Sequence, residues 1–359
     1  MVTGVEAAGE CGSGLWTTVA GRRAFMACGV AAALAACSRK PKETPALDVK
    51  MLDRGFPDLA DRARPGEFNA GMMALATSQT WFWNAEKRFP MQSVFKAPVG
   101  AAALAEVDAG RLALAQRIAI TELDLSPGLS PISQAWPSPP EHHSQAFTVQ
   151  DLLTRAVRDS DNTAADVIMK QIGGPGAVTA WLRTKSILDM RIDRYERELG
   201  QEIEGMASFR PAWKDDAVWL AARNTVPPAA RQAAMDAYLL DPRDTTTVQD
   251  ALNFLSKLAG GALLSSASTT LLLQLMQQTT RAAGRLQAGL PKGAVIAHRP
   301  GSSQTDLGFT PATNDIGIVT LKDGRRYAIA AFLAGSTATE AARDALFADT
   351  ARLMLKAAG

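Results

Sequence analysis

Strand-like sequence occurs near both ends of this chain, and the long stretch between them reads as helix. Residues 68–76 and 81–86 are strand candidates joined by a short Ser-Gln-Thr turn. At the other end, residues 316–321 and 327–333 are linked by Lys-Asp-Gly-Arg-Arg. Between them helical patterns run over 94–108, 149–158 and 163–172, the last stopped by Gly173-Gly174-Pro175. A helix-like segment at 47–63 ends before Pro65, and 339–357 predicts a closing amphipathic helix. This order predicts an α/β fold of the α+β kind: one antiparallel sheet built from both termini, flanked by helices, with an inserted all-α domain. The boundaries fall at 46–88 plus 287–359 for the α/β part and 89–286 for the helical part. Residues 126–146, rich in Pro and Ser, predict a long surface loop.

With 359 residues, 47% hydrophobic and 21% charged, the chain has enough apolar sequence for a proper core. Its 38 basic and 36 acidic residues nearly balance and form no run of one sign, which argues against a nucleic-acid partner. Residues 1–37 predict an export signal. A twin arginine, Arg22-Arg23, and Phe25 precede an apolar stretch too short to span a bilayer, which ends at Leu34-Ala35-Ala36-Cys37. Those last residues resemble a bacterial lipoprotein cleavage box with Cys37 as the lipidated residue, leaving 38–45 as a polar tether and the lipid as the only membrane contact. The three cysteines, Cys11, Cys28 and Cys37, all lie in this leader, so an exported domain has no pair for an internal disulfide. His142, His143 and His298 make a poor metal set, and neither metal nor cofactor is expected.

Lys96 is the residue out of place. In RFPMQSVFKAPVGAAALA it sits against an otherwise apolar, alanine-rich helix, three positions after Ser93. Residues three apart share a helix face, so both side chains reach one spot. The first turn of a helix offers free amide groups and the positive end of the dipole, and a desolvated amine loses its proton more readily. Such an amine can serve as base to a serine nucleophile; the plainer reading is a snorkelling surface lysine. Farther along stand Ser160-Asp161-Asn162 in RDSDNTAADVIM, Glu196 in RIDRYEREL, and Arg299 with Gly301 in IAHRPGSS. Ser160 and Asn162 are strong helix-capping residues, and the charged run around Glu196 also fits a solvated face.

These words, with RFPMQSVFKA, DAGRLAL, SDNTAAD, RDTTT and ATNDIGIV in order, resemble the class A serine β-lactamases, a branch of the penicillin-recognising serine enzymes. The likeness runs from about residue 46 to the C-terminus. It implies that Ser93 attacks a lactam carbonyl, with the backbone amides of Ser93 and Ser302 as the oxyanion hole. It implies Lys96 as the base, with Glu196 acting through water as its rival for that role and as the general base of deacylation. Ser160 would relay a proton to the leaving nitrogen, Asn162 would bind the acylamino group, and Arg194 with Asp244 would close an omega-type loop. The substrate would be a small β-lactam and the enzyme a monomer.

Several departures from the family pattern stand out. The K-T-G triplet is Arg299-Pro300-Gly301, which keeps the charge but removes a hydroxyl, for which Ser302 or Ser303 can substitute. Thr313 replaces one carboxylate-binding arginine, and Arg285 matches an alternative one. Gly200 stands where an asparagine usually helps hold the deacylating water. The 194–244 loop is also enlarged, and spacing of Trp213, Val218, Trp219 and Leu220, then Met235, Tyr238 and Leu239, predicts a helical excursion beside the site. A D-alanyl-D-alanine peptidase with slow deacylation, or a noncatalytic binding lipoprotein, are the alternatives left open.

Overall fold

A computed structural model describes residues 43–137, 143–207 and 209–359. The leader with Cys37, most of the tether, and His142 lie outside them. The first half comprises α1 (Val49–Arg62), β1 (Glu67–Ala74), β2 (Thr80–Phe82), β3 (Arg88–Pro90), α2 (Lys96–Asp108), β4 (Arg117–Thr121), α3 (Pro131–Gln134), β5 (Ser144–Thr148), α4 (Val149–Thr154), α5 (Asn162–Gln171) and α6 (Pro175–Thr184). There follow α7 (Glu196–Ile203), α8 (Asp216–Asn224), α9 (Pro228–Leu240), β6 (Thr245–Thr247), α10 (Val248–Ala259) and α11 (Ser266–Gln277). The chain closes with β7 (Val295–Ser302), β8 (Thr310–Thr320), β9 (Arg326–Ser336) and α12 (Glu340–Ala357).

The sheet is antiparallel and runs β2-β1-β9-β8-β7, so the N-terminal strands pair with the C-terminal ones as the sequence predicts. Alternation along β9 explains the layering. Tyr327, Ile329, Ala331 and Leu333 join the core shared with Leu52 and Phe56 of α1 and Phe347 of α12. Ala328, Ala330 and Phe332 face the opposite core, shared with α2, α5 and α10. The sheet is thus buried on both faces. Each α1 residue in that core is one turn from the next, Leu52, Phe56 and Leu59, which gives the helix one apolar stripe.

The start of the expected surface loop at 126–146 lies in the interior instead. Ser126 and Ser130 are fully buried, Ile132 lies in the core, and β5 pairs with β4 as a hairpin. The Ser hydroxyls satisfy Asp161, Asp166 and Thr163 rather than water, which is why a polar composition here is interior. The middle of the chain is therefore not purely helical, and β3 with β6 adds a second small pair within it.

Candidate active site

Ser93 lies in a single 3-10 turn, Gln92–Phe95, that runs into α2 at Lys96. Gln92 adopts a left-handed φ of 50°, an uncommon conformation for a side-chain-bearing residue, and this bend aims the following serine toward the cleft. The turn is fastened from two directions. The Asn314 amide of β8 donates to the carbonyls of Pro90 (2.8 Å) and Met91 (3.0 Å). The Met91 amide donates to the Asp244 carbonyl at 2.9 Å. Gly301 of β7 meets the turn so closely that a Cβ there would sit 2.7 Å from the Met91 carbonyl oxygen and 2.9 Å from the Ser93 nitrogen. Only glycine permits that approach, which brings the next residue, Ser302, beside the nucleophile.

Lys96 is fully buried, so the snorkelling reading is excluded. Its Nζ lies 3.1 Å from Ser93 Oγ, 2.9 Å from the Ser160 carbonyl, 3.3 Å from Ser160 Oγ, 2.6 Å from Asn162 Oδ1 and 2.8 Å from a Glu196 carboxylate oxygen. Burial pulls the amine below the ordinary lysine range; the Glu196 charge opposes this and the Arg299 charge adds to it. Ser160 Oγ in turn lies 3.2 Å from Ser93 Oγ.

The α4 helix loosens into a π turn over Arg155–Asp159, and Ser160 exits it with a left-handed φ of 67°. That exit turns both its carbonyl and its hydroxyl onto Lys96. Capping of α5 falls to Asp161, which accepts from Ala164 N, Ile132 N and Ser130 Oγ. Ser160 and Asn162 thus do not cap, contrary to the expectation from residue type, and their side chains are left for the cleft. The Asn162 amide nitrogen donates to the Pro127 carbonyl at 3.1 Å.

Glu196 opens α7 and is nearly buried, which excludes a solvated face. Its backbone amide is held at 2.7 Å by Asp166, a residue the motif reading passed over. The signal was present: an aspartate inside the apolar stretch ADVIM needs partners if buried, and Asp166 also accepts from Ser126 Oγ at 2.6 Å and Arg197 Nε at 3.2 Å. Burial pushes Asp166 up to about 6 despite the Arg197 charge. Arg194 and Asp244 form a buried ion pair at 2.5 Å, and Asp244 also takes the amides of Asp193 and Arg194, so the base of the enlarged loop is pinned to the strand pair behind Ser93.

Arg299 is fully buried and its guanidinium donates to Ser160 Oγ. Burial brings it down to about 10, against the charges of Glu196 and Asp315. Pro300 lies on β7, an edge strand, where its missing amide hydrogen is tolerated. Arg285 points its guanidinium to the carbonyls of Gly301 and Asn314, to Ser302 Oγ at 2.6 Å and to Asp344 at 2.9 Å. It is almost wholly buried and supports the end of β7 from behind. Ser302 and Ser303 line the cleft, and buried Thr313 pairs with Ser302 across the strands. Gly200 also lines the cleft, one turn beyond Glu196, and a Cβ there would meet nothing within 4 Å.

A serine, an amine, a second serine and a carboxylate within bonding reach, where a helical layer meets an edge strand, are the equipment of a serine hydrolase. Comparison with known proteins agrees. Residues 52–358 match the model of the Beta-lactamase enzyme family. Two relatives from Pseudomonas aeruginosa are similar: β-lactamase VEB-1, 30% identical over 75% of this chain and 78% of its own length, and extended-spectrum β-lactamase PER-1, 29% identical over 75% of each. Among solved structures, a β-lactamase from Chitinophaga pinensis superposes with a TM-score of 0.70 at 31% identity, covering 86% of this chain and 100% of that one. An ancestral class A β-lactamase gives 0.67 at 30%, covering 85% and 99%. The chain belongs to the β-lactamase enzyme family and is a serine β-lactamase of the class A fold.

Proposed function

We propose that hydrolysis runs through an acyl-enzyme on Ser93. Ser93 Oγ attacks the lactam carbonyl and passes its proton to Lys96, whose buried amine is the nearest base. The oxyanion is taken by the backbone amides of Ser93 and Ser302, which the close approach of Gly301 supports. As the C–N bond breaks, Ser160 returns a proton to the lactam nitrogen, its hydroxyl polarised by Arg299. Glu196 then activates the water that cleaves the ester and releases a carboxylate product. Asn162 binds the acylamino group. Arg299 supplies a cationic field for the substrate carboxylate, Ser302 and Ser303 hydrogen-bond it, and Arg285 fixes Ser302. Every one of these groups comes from a single chain, which supports action as a monomer. The leader supports export to the periplasm and anchoring through a lipid on Cys37.

The observation that carries this reading is the convergence of Ser93, Ser160, Asn162 and Glu196 on one buried Lys96 nitrogen. The test is to mix the protein from Ser38 onward with a chromogenic cephalosporin, recording product and protein mass together. Many turnovers per enzyme, abolished by Ser93→Ala, are expected; one equivalent of stable adduct would instead mark the peptidase-like alternative.

A further inference from the structure

Along α7, Glu196, Leu199, Gly200 and Ile203 fall on one face and all line the cleft. Seven residues of helix carry the cleft about 10 Å away from the carboxylate. Apolar Leu199 and Ile203 of α7, Pro127 and Leu129 beside Asn162, and Trp219, which belongs to α8 of the enlarged loop, line this same cleft. The indole N–H of Trp219 already donates to Gln201 Oε1 at 3.0 Å, so the ring has only hydrocarbon surface left to offer.

The roof that carries Trp219 is anchored on both sides. Arg223 of α8 bonds Glu204, just past α7, at 2.6 Å and also Asp306, in the β7–β8 connection, at 2.6 Å. Arg231 of α9 bonds the same Asp306 at 2.7 Å. Two arginines and two carboxylates thus neutralise one another, and the Glu204 that borders the cleft has its charge taken up. Beneath, Trp219 packs with Met206 and Trp213 in a small core of its own.

We propose that α8 builds a subsite for a flat, uncharged ring, so that the enzyme prefers β-lactams whose acyl side chain ends in an aryl group. This rests on the acyl-enzyme reading above, because it places the side chain along α7 with the carbonyl at Ser93. Stacking on Trp219 is expected to contribute about tenfold in acylation.

The experiment compares benzylpenicillin with 6-aminopenicillanic acid, the same nucleus without an acyl group, in the wild-type protein, Trp219→Ala and Trp219→Phe. The quantity read is the ratio of acylation rates, from kcat/KM and from the mass of the Ser93 adduct. A ratio reduced about tenfold in Trp219→Ala and largely restored in Trp219→Phe supports the subsite. A ratio that stays constant or rises on removal of the indole overturns it. If the wild type forms adducts without turning over, the hydrolysis reading fails, and the adduct-formation ratio still decides the subsite.

Discussion

Replacing Glu196 by glutamine separates the two halves of the proposed cycle. The amide keeps the size of the side chain but cannot accept a proton from water, so deacylation should slow by about 10²–10⁴-fold. Acylation faces a different change. At 2.8 Å and an effective dielectric of about 20, the Glu196 charge favours the protonated form of Lys96 by roughly 6 kcal/mol. Once that attraction is gone, burial and the Arg299 charge, both favouring the free amine, are opposed only by the smaller effect of the Asp161 charge. The base for Ser93 is therefore retained. The same deprotonation limits the stability loss, which would reach about 3–5 kcal/mol if the amine stayed charged without its partner. With a chromogenic cephalosporin the variant should give a burst of one equivalent followed by a slow phase, and intact-protein mass should show nearly all of it acylated on Ser93. Undiminished steady turnover without adduct would falsify the role of Glu196. A folded variant that forms no adduct would move the acylating base from Lys96 to Glu196.

Three other outcomes follow from the geometry. Gly200→Asn projects an amide into open space one turn past Glu196, and should speed decay of a preformed acyl-enzyme roughly tenfold; an unchanged decay would show that the water is already fixed. Asp244→Ala leaves Arg194 buried with only Glu202 and Asp241, and should cost about 3 kcal/mol in urea unfolding. Asp166 is raised from 3.8 to about 6, so between those values the native state holds a proton that the unfolded chain releases. Its stabilising contribution is full below pH 3.8 and lost as pH rises through about 6. The stability of Asp166→Asn relative to wild type should therefore increase by about 2 kcal/mol from pH 4 to pH 7, measured by denaturant unfolding at each pH.

The sheet and the main helices were legible because their apolar residues repeat at the period of the structure they form, as in β9 and α1. The hairpin of β4 and β5 was not, since its second strand follows a stretch rich in Pro and Ser whose hydroxyls turn out to be spent on buried carboxylates. Ser93, Lys96, Ser160 and Glu196 could be picked out by residue type and order. Asp166, which holds a backbone amide, is marked only by its place in an apolar stretch and belongs to no motif, and Gln92, which acts by its φ angle, leaves no signal at all. Arg285 was read as facing substrate because its residue type matched, whereas its guanidinium binds strand carbonyls and Ser302. The enlarged loop was recognisable as helical, yet the clasp of Arg223 and Arg231 on Asp306 joins segments far apart in sequence that no local pattern links.

Contact between Gly301 and the turn at Ser93 has a bearing on when the enzyme comes into being. A nascent chain that has emerged from the ribosome only as far as α11 already carries Ser93, Lys96, Ser160 and Glu196, but lacks the strand that presses on the nucleophile and the β9 partner that β1 needs. Such a chain cannot yet attack anything. Reactivity arrives with β7 to β9, so the newborn protein stays chemically silent until those strands have been made.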